Sequence, residues 1–176
     1  MAVTITKPQI NVREKLKELD FETVPFQKMP SGSVIQVVST IDSGSVSASA
    51  NVVVDTGLTL SITPTSSSNK ILILVSQQWS VTRTSDNLFL DFRLTRNGSI
   101  IYGPSRDSRF TTTDSFGIIE FTGKESINYL DAPSTTNSVE YKVQSEFFGS
   151  GGTGYWNQSV DGASATSTIT LMEIAG

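Results

Sequence analysis

Chemistry in a protein chain usually shows itself through a few residue types at telling spacings, and this chain offers four such stretches. The first is "GSGGTG", Gly149 to Gly154, which matches the G-x-G-x-x-G spacing of a phosphate-cradling turn. That turn works only where a strand enters it and a helix leaves it. Here "YWNQS" follows, which is no helix, so the stretch reads as a loop between two strands. The second is Tyr155-Trp156, directly after those glycines. An exposed aromatic pair can stack on the C–H face of a sugar. Such a pair also packs at sheet edges and subunit interfaces, and that is its commoner use. The third is "GPSRDSRFTTTDS", Gly103 to Ser115, read as a polar loop in which Arg106 and Arg109 are placed to meet an acidic glycan or a partner's carboxylates. A solvated loop carries the same residues. The fourth is the scatter of carboxylates. Glycoside hydrolysis needs two of them held at a fixed separation, and no pair is singled out. Asp91, Glu120 and Glu140 fall in alternating strands and are expected to face solvent.

What is missing narrows the chemistry further. The 176 residues contain no Cys and no His. Disulfides, thiolate metal sites and His-based general bases or triads are therefore excluded. No catalytic constellation, cofactor site or metal site is expected, and the chain does not read as an enzyme. Net charge is −4 and basic residues are scattered, which argues against nucleic acid as a partner. No apolar run is long enough to span a membrane as a helix. "MAVTITKPQINV" lacks the basic-then-apolar pattern of a secretion signal, so synthesis in a cytoplasm is expected. The two Asn-x-Ser sequences at Asn97 and Asn157 accordingly read as turns.

The elements that must position these residues are nearly all strands. Ser and Thr make up more than a quarter of the chain, and apolar residues alternate through most of it. "SVIQVVST", "KILILVSQQWSV", "SVEYKVQSEFFG" and "TSTITLMEIAG" read as strands. "ANVVVDTGLTLSITP" reads as two strands hinged at Gly57. In "NLFLDFRLTRNGSIIYG", Leu88, Leu90, Phe92 and Leu94 share one face, and Asn97-Gly98 makes a tight hairpin. Eight to ten short strands fit an all-β sandwich or jelly roll over residues 31–176.

Residues 1–30 differ in texture. Asn11 and Glu14 have the capping-box spacing, and Val12, Leu16 and Leu19 form one stripe, so a short helix over about 11–20 is predicted. Two or three turns are marginal alone in water, so the stripe must pack on something. Phe21 and Phe26 in the Pro-containing segment that follows read as further anchors. An amphipathic helix with extended flanks suits a groove on another protein.

The stretches "PSGSVIQVVST", "TGLTLSITPTSSSNKILILVSQ", "FRLTRNGSIIYG", "LDAPSTTNSVEYKVQ" and "STITLMEIAG" together resemble the trimeric jelly-roll domains of the C1q and tumour-necrosis-factor type. More closely, they look like structural proteins of tailed bacteriophages, particularly phages of cyanobacteria and other aquatic bacteria. The opening "TKPQINVREKLKELDF" also looks like the head of such proteins. The resemblance implies a homotrimer in the virion, either a capsid decoration (cement) protein or a fibre part. As a decoration protein it would grip the major capsid protein through Val12, Leu16, Leu19, Phe21 and Phe26. As a fibre part it would bind host glycan through Tyr155, Trp156, Arg106 and Arg109.

Overall fold

The computed structural model describes residues 29–83, 87–111, 119–149 and 151–176, with the side chains of 87, 88, 105–111 and 119 set aside. The predicted helix over 11–20 and the whole of residues 1–28 lie outside the described residues. Ten strands are described: β1 Val34–Asp42, β2 Val46–Ser49, β3 Val53–Ile62, β4 Lys70–Arg83, β5 Asn87–Arg96, β6 Ser99–Thr111, β7 Ile119–Asp131, β8 Val139–Phe148, β9 Thr153–Trp156 and β10 Ser167–Ile174. They form two sheets, so the described residues are all-β. One sheet has six strands, in the order β1-β10-β4-β9-β2, with β7 on the far edge of β4. The other runs β3-β8-β5-β6.

Alternation builds the core. The inward phase of β4 supplies Ile71, Ile73, Val75, Trp79 and Val81, and β10 adds Ile169 and Leu171. The facing sheet contributes Leu58, Leu90, Phe92, Leu94, Val139, Tyr141, Val143 and Phe147. Each large apolar side chain so buried is worth about 1.5–3 kcal/mol. Two glycines make room for the tryptophans: a Cβ at Gly123 would sit 2.6 Å from the Trp79 ring, and one at Gly154 2.9 Å from that of Trp156. The Asn97-Gly98 hairpin forms as its sequence predicts, with φ of 47° and 82°, the positive pair a two-residue turn of this kind demands. The Asn97 side chain also accepts a 2.9 Å bond from Glu140 N, which ties the turn to β8.

Three expectations need correction. The run expected to hinge at Gly57 is one strand, β3, with a register shift between Asp55 and Thr59. Gly57 has φ +95° there, and a Cβ would collide with the Asp42 carboxylate. A glycine inside a strand marked a bulge and a close approach, not a break. The expected polar loop from Gly103 to Ser115 is strand through Thr111, because β6 is an edge strand whose polar residues hide its period. Asp91 was expected in solvent and is only 2% exposed, whereas Glu120 and Glu140 are exposed as expected.

The long strand β4 shares one edge between two partners. β10 pairs along Lys70–Ser76 and β9 along Trp79–Thr82, while β7 covers the other edge from Ile71 to Arg83. Between β9 and β10 the chain leaves the sheet as a small excursion over residues 157–166. Opposite it, residues 43–45 separate β1 from β2. Buried Asn157 holds this level together: its Nδ2 faces Asp42 Oδ2 at 2.8 Å, Gly44 O at 3.0 Å and Thr56 O at 2.8 Å. Its Oδ1 accepts from Gln77 Nε2 at 2.8 Å, and that same amide lies 3.0 Å from Ser167 Oγ at the start of β10.

Candidate functional site

The outward phase of the six-stranded sheet is the first candidate. Register places Val37 opposite Met172, Met172 opposite Leu72, and Leu72 opposite Leu130. Neighbouring strands lie about 4.8 Å apart, so this apolar row is roughly 14 Å across. The next rows toward the sheet's middle are Ser39-Thr170-Leu74-Asn128 and Ile41-Thr168-Ser76-Ser126. None of the residues in these three rows is charged. Val37, Leu130 and Ile41 are 53%, 50% and 68% exposed. The cause is local: "KILILV" is apolar on both phases, so one set of side chains fills the core and the other is left outside.

The outward phase of the four-stranded sheet is finished differently. Arg93 and Glu146 pair at 2.7 Å, each half-buried. Lys142 meets Asp55 at 3.0 Å, and Gln144 donates to the other Asp55 oxygen at 2.7 Å. The Gln144 amide, and after it Lys142, hold the Asp55 carboxyl below its ordinary range, and Asp55 in turn raises Lys142.

The end of the sandwich where residue 29 enters carries two buried carboxylates. Asp131 takes both Arg96 Nη1 contacts, at 3.0 and 3.1 Å, and a 2.7 Å bond from the Tyr141 hydroxyl. Burial, and then Asp131, push the Tyr141 phenol well above its ordinary range. Glu173 is fully buried and accepts four bonds from neutral donors, described below. Between Met29 and the 63–69 loop lies a cleft of about 390 Å³, lined by Thr65, Ser66, Ser68, Asn69, Ala175 and Gly176. Among the described residues no three acidic side chains converge as a metal site requires, and no helix is long and apolar enough to cross a membrane.

The residues singled out in sequence fall in different places. Val12, Leu16, Leu19, Phe21 and Phe26 lie outside the described residues. Arg106 and Arg109 fall in β6, with Arg109 opposite Phe89 on β5. Tyr155 is half-buried in β9, in the other sheet, so the structure does not join it to the two arginines in one strand pair. Trp156 is fully buried, packed over Gly154 in the core, and offers no open ring face to a sugar. Glu173 and Asn157 were missed. Glu173 had a signal: in "STITLMEI" it takes the same phase as Ile169 and Leu171, a charge where alternation demands a core residue.

No family model matches the sequence, and no curated protein matches it significantly. Similar solved structures include viral capsid proteins. One is the infectious bursal disease virus VP2 subviral particle, with a TM-score of 0.37 and 11% identity, covering 80% of this chain and 38% of that one. Another is a mutant VP2 of the same virus from derived T=1 particles, with 0.36 and 14%, covering 81% and 37%. Dimeric latent PorU from Porphyromonas gingivalis gives 0.36 and 9%, covering 83% and 14%. This chain thus spans well under half the length of each. At these scores the likeness assigns it neither a role nor a partner.

Proposed function

We propose that this protein is a phage capsid decoration, or cement, protein: a homotrimeric jelly-roll knob on the capsid surface, anchored to the major capsid protein by residues 1–30. The observation that carries the reading is the uncharged patch of three rows on the outer face of the six-stranded sheet, bordered by Lys70, Glu120 and Lys124. A second copy would cover its exposed Val37, Ile41 and Leu130, and covering them supports association. The strand order supports the jelly roll. With β2 and β9 set aside as an added pair, β1-β10-β4-β7 faces β3-β8-β5-β6, as two Greek keys require. The phage-like phrasing of residues 30–176 supplies the virion context.

Polarity of the domain supports the anchor. The entry at residue 29, the 63–69 loop and Gly176 share one end, while β4 ends at Arg83 and β8 at Phe148 at the other. Three arms leaving one end of a trimer would bind a shell with avidity. The adhesin alternative would rest on Tyr155, Arg106 and Arg109, and buried Trp156 removes the aromatic half of its platform.

The test is deletion of residues 1–28. The truncated protein is expected to remain a folded trimer and to lose binding to purified phage heads. Normal head binding by the truncation would sink the anchor. Copy number in virions then separates the roles, since a shell protein is present in hundreds of copies and a fibre part in a few dozen at most.

A further inference from the structure

Glu173 is a buried charge that the core does not need. Its Oε1 accepts from Thr65 N at 2.6 Å, Thr65 Oγ1 at 2.9 Å and Asn69 Nδ2 at 2.6 Å. Its Oε2 accepts from Gln36 Nε2 at 2.6 Å. These donors come from two separate segments, β1 and the 63–69 loop. All are neutral. On the flanking elements Lys70 is exposed, and Asp131, across Ile71, is already paired with Arg96. The carboxylate is therefore held by aligned dipoles alone, each bond stronger than its neutral counterpart.

The same point gathers the entry to β1 and the exit from β10. Gln36 Nε2 also reaches Thr63 O at 2.8 Å, and Asn69 Oδ1 accepts from Gly176 N at 3.1 Å. Two residues past Glu173, Ala175 exchanges 2.8 Å backbone bonds with Gly32 and Ser33, the last residues before β1. Beside this junction the cleft at Met29 stands between the entering chain and the loop, and the loop is held by Glu173 together with Gln36 and Gly176.

We propose that Glu173 is a positioning residue: its carboxylate fixes the 63–69 loop and the root at residues 29–36 as one unit, and so sets the direction in which residues 1–28 leave the β-domain. The proposal rests on the reading of residues 1–28 as an attachment arm. A carboxylate that merely stabilised the core would act on every strand alike. One that positions the root acts locally.

Hydrogen–deuterium exchange on full-length Glu173→Gln separates the two. The amide keeps the shape but loses one acceptor oxygen and places a donor against donors. Exchange at residues 30–36 and 63–69 is expected to quicken at least tenfold more than in β4, β5 and β8, and head binding to weaken about as much. Thr65→Val, which removes the hydroxyl that donates to Glu173 and accepts from Asn69 Nδ2, should give the same pattern at a few-fold and serves if the Gln variant does not fold. Uniform quickening over all strands, an unchanged root, or a loosened root with full head binding would each overturn the proposal. Failure of the wild-type protein to bind heads would instead overturn the anchor, and the exchange pattern would still stand.

Discussion

On the four-stranded sheet the outward phase carries Asp55, Arg93, Lys142 and Glu146, and each meets an opposite charge. On the six-stranded sheet three rows of the same phase carry Val37, Ile41, Leu72 and Leu130 among hydroxyls and one amide, with Lys70, Glu120 and Lys124 only beyond them. Both sheets close the same core with the same alternation. Their outer faces show what that alternation leaves open. A strand's inward residues are set by the core, whereas its outward residues answer to whatever lies beyond. Ion pairs finish a face for water. An uncharged apolar patch is finished only when something covers it.

The contrast is most easily broken at the centre of the apolar row. Leu72→Glu puts a charge where a second copy would exclude water, and association is expected to weaken at least a hundredfold, about 3 kcal/mol. Sedimentation velocity should show the proposed trimer lost and the monomer still folded. A trimer that survives the change would move the contact elsewhere on the molecule.

The opposite face should respond in stability and not in assembly. Glu146→Gln leaves half-buried Arg93 without its carboxylate and is expected to cost about 1 kcal/mol in urea unfolding. Sedimentation should be unchanged. A loss of assembly here would mean that both faces take part.

Acid sharpens the comparison between a buried and an exposed carboxylate. Burial opposes ionisation of Glu173, but its bonds from Asn69, Gln36 and Thr65 outweigh this and hold its pKa below the ordinary value. A depressed folded pKa gives stability that is present above the unfolded value and lost as pH falls through the folded one. Glu173→Gln should therefore flatten the acid side of the stability curve below about pH 4.5. Asp55 is depressed too but lies in solvent, so Asp55→Asn should change the same limb least, by about 0.5 kcal/mol or less. Chemical denaturation between pH 2 and 7 measures both. An equal effect from the two substitutions would mean that burial adds nothing at Glu173.

Much of this was readable from residue order. Leu90, Phe92 and Leu94 fall inward as their period demands, and Asn97-Gly98 turns where it must. What failed was reading where local period is masked by tertiary contact. Gly57 looked like a hinge because nothing nearby in sequence announces Asp42 against it. Residues 103–111 looked like a loop because an edge strand rich in polar residues keeps no apolar rhythm. Asp91 looked exposed because its phase is outward, and phase alone does not say whether a face is covered. The candidate site was legible only in part. "KILILV" announced an excess apolar face, but the four-strand row exists only once register aligns Val37, Met172, Leu72 and Leu130.

The excursion between β9 and β10 has a practical consequence. Its two ends, Asn157 and Ser167, are bridged by one glutamine side chain, while the β4–β7 ladder runs past without interruption. Its tip at Gly162 is exposed, with open space around it. That is the geometry of a display port: a peptide grafted at Asp161-Gly162 would hang from a closed stem, and its length would be no concern of the sheet.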